Sequence, residues 1–339
     1  MRYLNTVYVR DHRARIKIRK GALIVSSPES TKRIPLEAID ALVLLGGAQV
    51  TTQALEACVH RGVRVSSLRM SGSIRFTVHP TTGGNVHLRT ALFQLVSDQE
   101  KSLELSKIIV AAKIQNSRKV VERWSRDAKN PEDVDWLVDR GKLIHQRIQQ
   151  LPESTTSDHV RGIEGDAARI YFRAIGRVVT PYNFEFTSRT RRPPRDPVNA
   201  LLGFCYGLLL TECIGASESV GLDYQMGFFH RPRSGRPSLA LDIAEEFRAL
   251  TDRFVVALIR RQQISIDHHF TCTSGGGVYL NDDGRAKLLK EWEKHKGTEI
   301  RHHLLGKFVG RWALPSIQST LLARHLRGDI PSYPPFLLS

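Results

Sequence analysis

The segment FFHRPRSGRPSLALDIAEEF, Phe228 to Phe247, gathers side chains that could do chemistry. His230 is followed by Arg231, Arg233 and Arg236 in a Pro/Gly-rich loop. Asp242, Glu245 and Glu246 then follow at i, i+3 and i+4, which on a helix puts all three carboxylates on one face. An imidazole with carboxylates is a donor set for a divalent cation, and its oxygen-rich balance suits magnesium or manganese. The plainer alternative is a solvated acidic face favoured by the helix dipole, beside a structural histidine.

A second carboxylate sits in an unusual setting upstream. The run VRGIEGDAARIYFRAIGRVV reads as a helix whose core stripe is Ile163, Ala167, Ile170, Ala174 and Val178. Glu164 heads a different row, Ala168, Tyr171 and Ile175, which is also apolar, and a carboxylate there needs a partner. Gly162 and Gly165 flank it and leave open backbone for a ligand or another chain to approach. A surface glutamate near a helix start is the alternative. Two arginine-rich loops complete the inventory. TSRTRRPPRDPVN carries Arg189, Arg191, Arg192 and Arg195, and RPRSGR carries Arg231, Arg233 and Arg236. Arginine's planar fork suits bidentate contact with phosphate, so both loops read as a phosphate-backbone clamp.

These residues need elements to position them. The first eighty or so residues are written as strands: LNTVYV, RIKIR, ALIVSS and KRIPL, separated by turn residues, suggest an antiparallel sheet. AIDALVLLGG reads as a buried strand, TTQALEACVHRG as a helix capped by threonine and closed by Gly62, and VRVSSL and IRFTVH return to strand. From about Val86 the apolar spacing is helical almost to the C-terminus, interrupted at PRDP and SGGG. The expected fold class is therefore α+β. A β-rich domain spans 1–79, a linker opening on the Pro/Thr/Gly cluster spans 80–95, and an all-α domain spans 96–339.

Composition narrows the partners. The chain has 339 residues, 50 Lys and Arg against 34 Asp and Glu, and a formal charge of +16. That excess points to phosphate-rich partners, nucleic acid first. Cys58, Cys205, Cys213 and Cys272 show no CxxC pairing, which argues against a structural zinc site and fits a reducing, cytoplasmic compartment. The N-terminus has no apolar leader pattern. The apolar run VNALLGFCYGLLLTECIGA is interrupted by Asn199, Gly203, Gly207 and Glu212 and reads as a core helix, so no membrane association is expected.

Taken together, RGIEGDAARIYF, RRPPRDPVNALLGFCYGLL, GLDYQMGFFHRPRSGRPSLALDIAEEFR, GGGVYLNDDGR and LLARHLRGDIPSYPPF resemble the Cas1 family, the CRISPR-associated integrases of spacer acquisition, and most resemble its subtype I-C members. The likeness runs over essentially the whole chain. The resemblance implies a metal-dependent DNA integrase with manganese or magnesium, able also to cut branched DNA, whose β-rich domain is sandwich-like and serves dimerisation and whose all-α domain is catalytic and binds DNA. It implies a homodimer assembled on the small Cas2 protein, with double-stranded prespacer and repeat DNA as substrates and in some systems a Cas4 nuclease. It carries the metal ligands onto Glu164, His230 and Glu245, the last lying fifteen residues after the histidine, with Asp242 as a second acid at the site. The expected termini differ in one respect: the chain ends PPFLLS where an aromatic would follow the final Phe-Leu. Two other classes compete with this reading: a structure-specific nuclease using the same ligands with water as nucleophile, and a non-enzymatic nucleic-acid-binding assembly protein whose acids are only a solvated face.

Overall fold

The computed structural model describes residues 6–78 and 86–338 and divides into two compact units, Met1–Gly84 and Asn85–Ser339. The first unit holds two four-stranded sheets. β2 (Arg15–Arg19), β3 (Ala22–Ser26) and β4 (Thr31–Pro35) form an antiparallel meander with the short β6 (Gln49–Val50) added in parallel to β2. The other sheet has the order β1 (Thr6–Val9), β5 (Ala41–Leu45), β7 (Arg64–Leu68), β8 (Ile74–Val78). An antiparallel sheet is expected of the first four strands, and β2, β3 and β4 form one, but β1 joins the other sheet, where β1, β5 and β7 pair in parallel and only β8 runs against β7. Parallel neighbours need a crossover, and helix α1 (Thr52–His60) supplies one between β5 and β7. Thr51 caps α1 by accepting the Ala54 N–H at 3.3 Å, and Gly62 follows it with φ +70°, a left-handed turn that a side chain rarely adopts. β5 is buried along its whole length, as its unbroken apolar run requires between two parallel partners. Ile16, Leu23, Leu42, Leu44, Ala54, Cys58 and Val65 form the core of this unit.

The second unit is mainly helical. Its helices are α2 (Val86–Ser97), α3 (Gln99–Asp127), α4 (Pro131–Gln150), α5 (Ser157–Val179), α6 (Pro197–Ser219), α7 (Ser238–Glu245), α8 (Arg248–Arg260), α9 (Ile266–His269), α10 (Asp282–Gly297) and α11 (Leu314–Leu326). Of the segment expected to be a linker, residues 80–85 lie outside the described residues, and residues 86–95 form most of α2. Each of the long helices starts on a side-chain cap: Asp98, Asn130, Thr156 and Asp196 accept first-turn N–H groups of α3, α4, α5 and α6. The unit is not wholly helical. The hairpin β9 (Phe270–Cys272) and β10 (Val278–Leu280) turns through TSGGG, and β11 (Glu299–Arg301) pairs with β12 (Phe308–Gly310). Three-residue strands are too short to show an alternating pattern, so only the glycine run hinted at the first hairpin. α6 is long and apolar enough to cross a membrane by composition, but 67 % of its apolar window is buried within the protein, as a core helix should be.

One break decides where the acids point. α7 does not run on into α8. Its last turn tightens, with the Glu246 and Phe247 N–H groups donating to Ile243 and Ala244 carbonyls three residues back, and the chain resumes at Arg248 in a new helix. The expected stripe Leu239, Ile243, Phe247 and Leu250 is buried on both sides of this break.

Candidate active site

The loop before α7 is folded around Asp242. Its Oδ2 accepts the backbone N–H groups of Phe228 at 2.8 Å and Phe229 at 3.1 Å, and its Oδ1 accepts the His230 N–H at 2.9 Å. The same Oδ1 lies 2.7 Å from His230 Nδ1. Gly227 allows the close turn, because a Cβ there would lie 2.7 Å from the His230 carbonyl and from Ser238. Ser102 on α3 donates to the Phe228 carbonyl at 2.9 Å, tying the loop to the helical core. The outcome is an imidazole fixed at Nδ1 by a fully buried carboxylate, with Nε2 directed at Glu245 Oε1, 3.9 Å away. A carboxylate on one ring nitrogen sets the tautomer that leaves the other nitrogen's lone pair for an electrophile.

Glu245, 3 % exposed, meets two cations. Arg248 Nε donates to Oε1 at 2.8 Å, and Lys113 Nζ from α3 lies 2.5 Å from Oε2. Lys113 also donates to Glu164 Oε1, so one ammonium bridges carboxylates from α5 and α7. Burial alone would raise the Glu245 pKa, but the charges of Arg248 and Lys113 outweigh it and hold the group well below the usual carboxylate range. Burial likewise works against the charged Lys113, and Glu245 and Glu164 reverse this and raise its pKa.

Glu246 points elsewhere. It is fully buried and accepts from Tyr333 Oη, the Phe336 N–H and Gln318 Nε2, the last at 2.9 Å. The three acids therefore do not share a face, and none belongs to a solvated one: all are buried and each has its own partners. Glu164, 20 % exposed, stands where α5 faces a cavity, and a Cβ on Gly162 or Gly165 would meet nothing within 4 Å. A surface glutamate would have no buried ammonium for a partner.

Whether this set suits a metal ion can be judged from the donors. Among the described residues no three His, Cys, Asp or Glu side chains are gathered closely enough to enclose an ion as they stand. Here the Lys113 ammonium fills the space between the two carboxylates. That position is already a cation site. Glu245 Oε2 is buried without an aligned hydrogen bond, facing only a charge, which is the condition of a ligand oxygen rather than of a satisfied acceptor. Two carboxylates and an oriented imidazole fit a divalent ion of the magnesium or manganese type.

A cavity of about 170 Å³ opens beside Lys113 and Glu164, lined also by Tyr171, Arg189, Tyr206, Arg248 and Asp252. Tyr206 donates to Asp252 at 2.6 Å, and burial pushes the Asp252 carboxyl up to about 6 against the pull of that bond and of Arg248. Arg189, named from sequence as a phosphate contact, is turned inward: it donates to Asn199 Oδ1 at 2.6 Å and lies 5.3 Å from the Tyr206 ring centre. Arg191 is exposed at the cavity edge, and Arg192 is exposed beyond it. Arg195 donates to the Gly275 carbonyl at 2.9 Å, linking its loop to the glycine hairpin. Arg231 is 68 % exposed and 3.5 Å from Asp158, while Arg236 is half-buried.

The family model described as CRISPR associated protein Cas1 matches residues 7–294. The chain belongs to the Cas1 family. It is 38 % identical over 338 residues to a CRISPR-associated endonuclease Cas1 of Moorella thermoacetica, covering 98 % of each chain, and 37 % identical over 344 residues to one of Rhodospirillum rubrum, again covering 98 % of each. A Cas4/Cas1 fusion of Geobacter sulfurreducens is 34 % identical over 303 residues, which is 87 % of this chain and 53 % of the fusion. In fold the chain is similar to a Cas1 protein from Thermotoga maritima (TM-score 0.82, 24 % identity, 96 % and 97 % covered). It is similar also to a casposase bound to integration product (0.83, 24 %, 97 % and 92 %) and to a chain of a Cas6-RT-Cas1–Cas2 complex (0.81, 21 %, 99 % and 36 %).

Sequence reasoning missed three residues that this Cas1 chain gathers around the acids: Lys113, Arg248 and Tyr206. Lys113 interrupts the apolar run IIVAAKI, and a lysine in a buried helical row asks for a carboxylate partner in the same way that Glu164 asks for a cation. The two anomalies answer each other.

Proposed function

We propose that this Cas1 chain joins the 3′-hydroxyl ends of captured DNA to a CRISPR repeat by metal-dependent transesterification. One observation carries the reading: Glu164 and Glu245, eighty-one residues apart in sequence, converge on a single cation, with His230 Nε2 3.9 Å from Glu245. Glu164, Glu245 and His230 are the residues that would hold manganese or magnesium, and Asp242 is the positioning acid that fixes His230. A bound divalent ion supplies Lewis acidity toward a phosphate oxygen. Arg248, at the cavity wall, and Arg191, Arg192, Arg195, Arg231 and Arg236, on the two loops, supply positive charge for the DNA backbone and for charge that builds on phosphate oxygens. In the joining step a bond forms from the incoming 3′ oxygen to phosphorus and the bond to the repeat strand's 3′ oxygen breaks. The attacking hydroxyl's proton passes to solvent, the released 3′ oxygen takes one up from solvent and leaves as a hydroxyl, and the number of phosphodiesters is unchanged.

The motif set supports a subtype I-C system and, with it, a homodimer through the β-rich unit. The Cas1–Cas2 complex among its fold relatives supports a Cas2 partner, and the Cas4/Cas1 fusion supports cooperation with a Cas4 nuclease in the prokaryotic cytoplasm. Incubation with Cas2, a repeat-bearing plasmid and short duplexes in manganese tests the reading. Joined product is expected from the wild-type protein and none from Glu164→Ala or His230→Ala, both of which keep DNA binding. Wild-type joining by either variant would overturn the site assignment, and nicking without joining would favour a hydrolytic nuclease.

A further inference from the structure

We propose that Lys113 is the internal counter-ion of the metal site, a side chain that holds Glu164 and Glu245 together in the metal-free protein and must withdraw before a divalent ion can bind. The inference rests on the ligand assignment above and adds a residue to it that competes with the metal. Lys113 Nζ lies 2.5 Å from Glu245 Oε2 and donates to Glu164, so the ammonium and an ion coordinated by both carboxylates cannot coexist. The charges agree. Glu164 and Glu245 share Lys113, Glu245 also meets Arg248, and Asp242 meets His230; once Lys113 withdraws, these three carboxylates and Arg248 leave two net negative charges, the complement of a divalent cation. The ammonium has somewhere to go, because Lys113 also lines the cavity of about 170 Å³ beside the carboxylates. There it would stand near Arg189 and Arg248, a position favourable for a phosphate contact and unfavourable for a bare cation.

Metal affinity is therefore set by a competition built into the fold. Without Lys113 the two carboxylates would repel across a partly buried gap and the empty site would loosen. With it, the ligands are held in place and weak metal binding is the consequence.

The test is calorimetric titration of manganese into metal-free protein, comparing wild type with Lys113→Met, Glu164→Ala and Glu245→Gln. Lys113→Met is expected to bind manganese roughly tenfold or more tightly than wild type, the scale of removing a charged competitor. Its unfolding temperature should be lower without metal and should rise further than wild type's when metal is added. Equal or weaker manganese binding by Lys113→Met, with binding lost in Glu164→Ala and Glu245→Gln, would overturn the counter-ion proposal and leave the ligand assignment standing. Unchanged binding in both carboxylate variants would instead overturn the ligand assignment. Should Lys113→Met fail to fold, wild-type protein labelled with an amine-reactive reagent gives the answer. Labelling of Lys113 must rise with manganese, and a label level indifferent to the metal overturns the proposal.

Discussion

Asp242 is the most informative single change in the site. Its carboxylate receives four donors, two on each oxygen, so Asp242→Asn keeps the shape and volume and removes one acceptor atom. Whichever way the amide turns, its NH₂ faces two donors. Turned toward the phenylalanines, it strands the Phe228 and Phe229 N–H groups; turned toward His230, it strands that N–H and forces Nδ1 to become an acceptor. The ring proton then moves to Nε2, the nitrogen proposed to hold the metal. A buried donor left unmatched costs about 1–3 kcal/mol, so the turn toward His230, which strands one, is favoured over the turn toward the phenylalanines, which strands two. Burial, which raises the Asp242 pKa, works in the variant's favour because no charge is buried any longer. The net expectation is a destabilisation of about 1–2 kcal/mol in urea unfolding, with manganese affinity lowered about 10–100-fold, as for other residues that orient a metal-binding histidine. Unfolding and calorimetry on the same preparation separate the two effects. If the variant bound manganese within about twofold of wild type while His230→Ala did not bind it, Asp242 would not be orienting the ligand.

Glu246 should behave in the opposite way. Glu246→Gln puts an amide among the Tyr333, Phe336 and Gln318 donors and is expected to lower stability by about 2–4 kcal/mol while leaving manganese titration unchanged; loss of titration would make Glu246 a ligand. Asp252 sets a pH dependence. Its pKa stands at about 6 in the folded chain against an ordinary 3.8, so between those values the folded state keeps a proton that the unfolded state has released. The contribution is complete below the lower value, is lost as pH rises to about 6, and amounts to about 3 kcal/mol. Asp252→Asn should therefore gain that much on wild type in chemical unfolding between about pH 4 and about pH 7, and parallel profiles would contradict the assignment. Arg192→Glu and Arg231→Glu, both on exposed side chains, should weaken duplex binding and reduce the slope of log affinity against log salt by about 1–2. An unaltered slope would remove these loops from the DNA interface.

Much of this was legible in residue patterns. The helix of Glu164, the start of α7 and the buried α7–α8 stripe followed from apolar spacing, because such spacing records which face meets the core. The direction of the acids was not legible. Asp242 and Glu245 lie within α7 and both meet His230, but the helix ends at Glu245, and Glu246 leaves their face for Tyr333, Phe336 and Gln318. The parallel pairing of β1 and β5 stayed hidden too: it joins segments on either side of a complete β-meander. Lys113 could be read as an anomaly but not as a partner, since Glu245 lies on another helix and only packing brings the two together.

The Asn116–Glu246 junction has a consequence for how the protein is made. Asn116 Nδ2 contacts the carbonyls of Glu246 and Phe336, each at 2.9 Å, and its Oδ1 accepts the Leu338 N–H at 2.8 Å. Tyr333 and Phe336 close the core directly behind the residue that follows Glu245. These residues are synthesised more than two hundred positions after the helix that receives them. A nascent chain can thus carry every proposed ligand of the site and still lack the residues that join the end of α7 to α3. A chain cut short before Tyr333 is therefore expected to bind DNA but no manganese, which calorimetry on the truncated protein would check.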